Sequence, residues 1–304
     1  MQTDDDFGPR RYQVRHRTTY TYSDDVTGCY ERGFLAPRAT PAQRVVSNDV
    51  RIVPEPDLVA THVDHFGNRS YYVEVRTDHR VLEVEKTSII EVDRPRPDLD
   101  ALDRWTVADA AEWARVAADP VLRVDHLLPT TLVSHDDEVR SYAAAILPPD
   151  RPLGQALRGL VGTLHRDFTY RSGATTVRTT LPELLSQRAG VCQDFAHLAL
   201  GCLRSVGLPA RYVSGYLETT PPPGAERLEG ADASHAWASV LVPGPAAGTW
   251  VDLDPTNDQV ADSRYLVTAW GRDFRDVSPL KGVVFTEAAT STLEVGVDVV
   301  RLDA

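Results

Sequence analysis

Gly190-Val191-Cys192-Gln193-Asp194-Phe195-Ala196-His197-Leu198 places a thiol where a helix should begin. Before it, Thr180-Leu181-Pro182-Glu183 has the form of a capping box with proline in the first turn of a short helix, which Gly190 ends. After it, Phe195, Ala196, Ala199, Leu200 and Leu203 recur at helical spacing until Gly207 and Pro209 supply a stop. Cys192 therefore falls in the first turn of an amphipathic helix. There the unpaired N–H groups and the positive end of the helix dipole favour an anion, so a thiolate should form more readily than at the free-cysteine pKa of about 8.5. The thiolate is the nucleophilic form. Taken alone, the position suits a buried structural cysteine equally well.

Composition narrows the classes. The 304 residues are enough for two domains, and 44 acidic against 32 basic residues leave no basic excess of the kind nucleic acid or an anionic membrane would select. Cys29, Cys192 and Cys202 are an odd number at no metal-like spacing, which suggests neither a disulfide framework nor a zinc site and fits a reducing compartment. His62, His65 and His79 lack a carboxylate or cysteine at supporting spacing, so no metal and no cofactor is expected. The start, Met1-Gln2-Thr3-Asp4-Asp5-Asp6, has no apolar core, and no later apolar run approaches the ~18 residues of a membrane span. The expectation is a cytoplasmic protein.

Three regions follow from the change in hydrophobic period. Residues 10–95 read as an antiparallel β domain: Tyr12, Val14, His16, Thr18, Tyr20 and Tyr22 share one parity, further runs begin near Val50, 69 and 81, and Asp64-His65-Phe66-Gly67-Asn68 reads as a hairpin turn. The run Asp93-Arg94-Pro95-Arg96-Pro97-Asp98 is the linker candidate. Residues 96–150 read as a helical connection, with helices from Thr106 to about Ala117, stopped by Pro120, and from Ser134 to Leu147. Residues 151–304 read as the core, opened by the stripe Leu153, Ala156, Leu157, Leu160, Val161 and Leu164 and closed by a strand through Leu293, Val295, Val297 and Val299. Thr219 to Ala231 reads as a surface loop. The fold class is α+β.

Two further residues complete a site. His235 to Val242 and Thr249 to Asp254 read as strands joined by Pro243-Gly244-Pro245-Ala246-Ala247-Gly248, a hairpin centred near residues 244–246. Reflection of His235 through that centre lands at about 254–256, which favours Asp254 over Asp252; the two share strand parity, and a bulge would reverse the choice. A thiol needs a base to take its proton, and the imidazole needs an acceptor that fixes its tautomer. Cys192, His235 and Asp254 meet those needs.

The motifs Arg188-Ala189-Gly190-Val191-Cys192-Gln193-Asp194-Phe195-Ala196, Gly207-Leu208-Pro209-Ala210-Arg211-Tyr212-Val213-Ser214-Gly215-Tyr216, Ser234-His235-Ala236-Trp237 and Trp250-Val251-Asp252-Leu253-Asp254-Pro255-Thr256 resemble, in that order, the core of the bacterial transglutaminase-like superfamily. His16-Arg17-Thr18-Thr19-Tyr20-Thr21-Tyr22, Pro37-Arg38 and Asp64-His65-Phe66-Gly67-Asn68 are similar to the domain that precedes this core in many bacterial members. The resemblance implies a papain-like core with the nucleophile helix packed on an antiparallel sheet, and a triad aspartate immediately before Pro255-Thr256. It implies no single reaction, because the superfamily holds crosslinkers, deamidases, peptidases, amidases and inactive members.

The expected chemistry is attack of the Cys192 thiolate on an amide carbon through a thioester, with a peptide or protein substrate and water or a small amine as acceptor. The N–H of Cys192 is one expected oxyanion donor, and the second has no place in the sequence. Trp237 could shield the site and Tyr216 could line the acyl groove; Asp194 and His197 read as structural. The alternatives are a silent scaffold of the same fold and a metal-dependent hydrolase.

Overall fold

Twenty-four residues of alternating burial make β1 (Arg10–Gly33), the spine of the N-terminal part. Its even positions, Tyr12, Val14, Tyr22 and Val26, are buried, as a strand with one apolar face requires. The computed structural model describes residues 8–34, 36–219, 234–245 and 247–302. β2 (Gln43–Val53), β3 (Leu58–Val63), β4 (Arg69–Val75) and β5 (His79–Val92) join β1 in a sheet of order β2-β5-β1-β4-β3. Gly67, at φ 76°, makes the turn between β3 and β4.

The helical region holds α1 (Val107–Ala117), α2 (Pro120–Leu127) and α3 (Asp137–Ile146). α1 carries a capping box between Thr106 and Asp109. Pro120, expected as a stop, is instead the first residue of α2, where its missing N–H costs nothing and Asp119 caps Leu122. Then come α4 (Leu153–Asp167), β6 (Thr169–Tyr170), α5 (Leu181–Gln187), β7 (Ala189–Gly190) and α6 (Cys192–Ser205). β8 (Ala210–Leu217), β9 (Ser234–Val242), β10 (Thr249–Asp254), β11 (Gln259–Val260) and β12 (Tyr265–Gly271) form a second sheet of order β11-β10-β9-β8-β12. The apolar stripe of α4, the buried face of α6 and Ala236, Ala238 and Val240 of β9 share one core. Among the described residues no helix is long and apolar enough to cross a membrane.

The closing strand corrects one domain assignment. β13 (Leu280–Thr286) and β14 (Ser291–Leu302) leave the 151–304 core and pair with β1, with Val14 opposite Val299 and His16 opposite Val297. The long β1 offers a second edge opposite β5, and pairing there removes an exposed ladder. Period-2 alternation reveals a strand but not which sheet receives it. The expected loop at 219–231 lies, from residue 220 on, outside the described residues.

Side-chain amides fasten the two parts. β12 is an edge strand, and Gln43 gives Nε2–H to the Val267 carbonyl (2.7 Å) while accepting the Val267 N–H (2.8 Å). Asn68 does the same to Trp270, at 2.8 and 3.0 Å, and is wholly buried. Each carboxamide thus replaces one residue of a missing strand. The Arg38 guanidinium, 3.6 Å from the Trp270 ring centroid, and Arg211, 3.7 Å from the same ring, clamp the indole. Asn68→Ala should strand two buried backbone groups and lower the unfolding free energy by about 2–4 kcal/mol, checked by urea denaturation. An unchanged midpoint would contradict this account of docking.

Candidate active site

α6 begins at Cys192 because three local features stop the chain from entering it earlier. Arg188 closes α5 in the left-handed region (φ 53°), Ala189–Gly190 pairs in parallel with Thr169–Tyr170, and Val191 is extended. The Asp194 carboxylate then folds back, accepting the Val191 N–H (2.8 Å) and the Thr175 hydroxyl (2.6 Å). That return fixes residue 190 as glycine: a Cβ there would stand 2.7 Å from an Asp194 oxygen and 3.0 Å from Leu184. Asp194 is structural, as expected, and it holds the loop before the nucleophile against the helix start. Cys192 is half-buried, whereas Cys29 and Cys202 are buried.

His235 stands at the second position of β9 and Asp254 ends β10. Leu253 pairs with Ala238 and Asp252 with Ser239, so the next step sets Asp254 across from Trp237 and diagonal to His235, on the face opposite the helices. The imidazole crosses that diagonal, and Nε2–H donates to Asp254 Oδ2 at 2.8 Å. Asp252 instead accepts Arg94 Nη1 at 2.9 Å. The register resolves the two aspartates in favour of Asp254.

The electrostatics follow from burial and partners. Burial alone would lower the His235 imidazole, but the Asp254 carboxylate and the hydrogen bond with Cys192 outweigh it and raise the ring to about 10. With Nε2 given to Asp254, Nδ1 is the nitrogen left for the Cys192 sulfur. Asp254 is wholly buried, which opposes ionisation, yet His235 and the hydrogen bonds around it hold its carboxyl below the usual value. Oδ2 also accepts from Tyr265 Oη (2.8 Å) and Asn257 Nδ2 (2.7 Å), and Oδ1 from the N–H groups of Thr256 (3.0 Å) and Asn257 (3.3 Å). The carboxylate is therefore fixed in position before any substrate arrives.

Tyr265 and Asn257 are site residues that the sequence reading missed. Asn257 follows directly on the Asp254-Pro255-Thr256 motif, where an amide able to reach back to the carboxylate is a legible signal; Tyr265 carries none. Tyr170 is a third. It is 55% exposed, pairs with Gly190 two residues before the nucleophile, and has its hydroxyl pushed up by burial and by the charge of Cys192. It stands exposed where the chain enters the nucleophile turn.

Two expectations change. Tyr216 does not line a groove: only 3% exposed, it accepts from Lys86 Nζ (2.6 Å), bonds His16 Nδ1 (2.7 Å) and packs with Tyr12, Val14 and Val299 at the seam between the two sheets. Its position on β8 aims it at the N-terminal sheet. Trp237 is wholly buried, with its ring 6.0 Å from His235 and 5.3 Å from Tyr265. It packs against the His235 and Tyr265 rings and, being wholly buried, is closed to substrate. His197 is structural, as expected: it accepts the Phe274 N–H at 3.2 Å, and burial lowers it to about 3.

Comparison with known proteins agrees with this architecture. The family profile described as the bacterial transglutaminase-like N-terminal region matches residues 12–91, and that of the transglutaminase-like superfamily matches residues 140–255. An uncharacterized protein of Mycobacterium tuberculosis is 48% identical over 302 residues, covering 97% of this chain and 94% of its own. One from Mycobacterium leprae is 32% identical over 297 residues, covering 96% and 99%. The crystal structure of a candidate cysteine protease from Cytophaga hutchinsonii superposes with a TM-score of 0.75 at 18% identity, over 97% of this chain and 92% of that one. That likeness shows a shared fold.

Proposed function

Because this chain belongs to the bacterial transglutaminase-like superfamily, we propose that it is a cysteine-nucleophile enzyme that cleaves or transfers the acyl group of a peptide or glutamine-type amide. The supporting observation is the single imidazole that donates through Nε2 to Asp254 and has the Cys192 thiol as a second hydrogen-bond partner. In this reading the Cys192 thiolate attacks the amide carbon, forming the C–S bond, while the carbonyl oxygen takes the negative charge. The N–H of Cys192 at the start of α6 donates to that oxygen. His235, charged at neutral pH, gives its proton to the amide nitrogen as the C–N bond breaks, leaving a thioester and a free amine or ammonia. His235, now neutral, deprotonates water or an incoming amine, whose attack releases acid or a new amide. Asp254 keeps the ring in the one tautomer that serves both steps. Three unpaired thiols support a reducing compartment such as the cytoplasm.

A panel of glutamine-containing peptides offered together with a labelled primary amine tests the reading. Incorporated label identifies an amine acceptor, and free acid with no label identifies water. Neither product, with no thioester trapped on Cys192 by rapid acid quench, would overturn it.

A further inference from the structure

A second cleft, built from other elements, holds cations that form no ion pair among the described residues. It has a volume of about 610 Å³ and opens between β1, the β3–β4 turn, α2 and β13; Cys192, His235 and Asp254 do not line it. Arg32 and Lys281 are direct cross-strand partners on β1 and β13, so two positive side chains stand opposite each other on one face, an arrangement that is unfavourable without an anion between them. Glu31, the neighbouring acid, serves the other face: it is buried over Gly282, where a Cβ would lie 2.5 Å from its carboxylate. Arg275 also lines the cleft, and its carbonyl accepts Lys281 Nζ at 2.8 Å, which holds the ammonium in place.

Each carboxylate in the wall is already engaged. Asp64 accepts from Asn68 N (2.7 Å) and Nδ2 (2.9 Å), Asp125 bonds His65 Nε2 (2.6 Å), and Asp276 accepts three bonds from Arg272. Lys281 acts on Asp276 through space, without an ion pair between them. Among the described residues, Arg32, Arg275 and Lys281 thus line one cleft with no ion pair of their own, Arg32 lying 3.4 Å from His62 Nε2. Val63, 65% exposed, and Phe66 give the same cleft an apolar wall.

We propose that this cleft binds a phosphomonoester. Its dianionic head lies among Arg32, Arg275 and Lys281, and its organic part packs on Phe66 and Val63. Two guanidinium forks and an ammonium suit a tetrahedral dianion better than a single carboxylate. The apolar wall of Val63 and Phe66 beside the cations suits a ligand that carries an organic body. The inference stands apart from the proposed acyl chemistry, since none of its residues serves the triad.

The test is calorimetric titration of the full chain with inorganic phosphate, phenyl phosphate and benzoate at matched ionic strength. Phenyl phosphate should bind about tenfold more tightly than inorganic phosphate, and benzoate should bind more weakly than either. The R32A/R275A/K281A variant should lose phenyl phosphate binding while its circular dichroism and Cys192 alkylation rate stay at the wild-type level. Benzoate binding as tight as phenyl phosphate would overturn the dianion site. So would heats no larger than those of sodium chloride, or a triple variant that still binds.

Discussion

Cys192→Ser should abolish acyl transfer, and Asp254→Asn should cut its rate by about 10²- to 10⁴-fold with the fold retained. Asparagine fits the space, and its Oδ1 can still accept the Thr256 and Asn257 N–H groups. On the other side, however, an NH₂ group would face His235 Nε2, Tyr265 Oη and Asn257 Nδ2, which now all converge on Oδ2. The imidazole would have to present a lone pair there and carry its proton on Nδ1, the wrong nitrogen for receiving one from sulfur. Loss of the carboxylate also removes the charge that raises His235 to about 10, so the alkaline limb of the pH–rate profile should move to lower pH. A merely structural aspartate would lower the rate without moving that limb. Asp252→Asn is the control: Asp252 pairs with Arg94, so its loss should leave the profile in place. Single-turnover acylation across pH reads both outcomes.

Stability should fall steeply in acid because three histidines are held neutral. Burial lowers His16, His126 and His197 to about 3, assisted by Lys86 for the first, by Arg211 and Arg204 for the second and by Arg204 for the third. Their folded pKa values lie below the unfolded value of about 6.5, so between the two the unfolded chain binds more protons. Stability rises with pH across that window: it is fully present above pH 6.5 and lost as pH falls toward 3. At pH 4.5 each group opposes folding by roughly 2–3 kcal/mol, and together they approach the 5–15 kcal/mol of a whole domain. His235 has the opposite sign, favouring the fold below pH 6.5 and losing that contribution as pH rises through about 10, but it is one group against three. Urea midpoints from pH 7.5 to 4.5 should fall sharply, and His197→Gln should flatten the slope. A level profile would contradict the neutral burial of these rings.

What the sequence made legible was local. The thiol at the start of α6 could be read because capping box, glycine and apolar spacing lie within 30 residues of one another, and the observed strand pairs centre the β9–β10 hairpin between 245 and 246, inside the expected window. The alternation that announced β14 was equally clear, but its partner β1 lies some 280 residues away in the chain, and periodicity carries no address. The same limit misplaced Tyr216, whose partners Lys86 and His16 belong to the other sheet. Asp64-His65-Phe66-Gly67-Asn68 read correctly as a turn, while the amide of Asn68 completing the edge of β12 is a contact over 202 residues that no local rule contains. Tyr265 reached Asp254 through a strand the sequence reading left unassigned.

The central claim is that Asp254, His235 and the helix start make Cys192 a standing nucleophile. Alkylation of the intact protein by iodoacetamide, followed cysteine by cysteine with mass spectrometry from pH 5 to 9, tests it most directly. Burial pushes the Cys29 and Cys202 thiols up to about 12, so neither should react in this range. Cys192 should react at least tenfold faster than either already at pH 6, and His235→Ala should remove that advantage. A Cys192 that reacts no faster than Cys29 or Cys202, or whose rate is untouched by His235→Ala, would contradict the account.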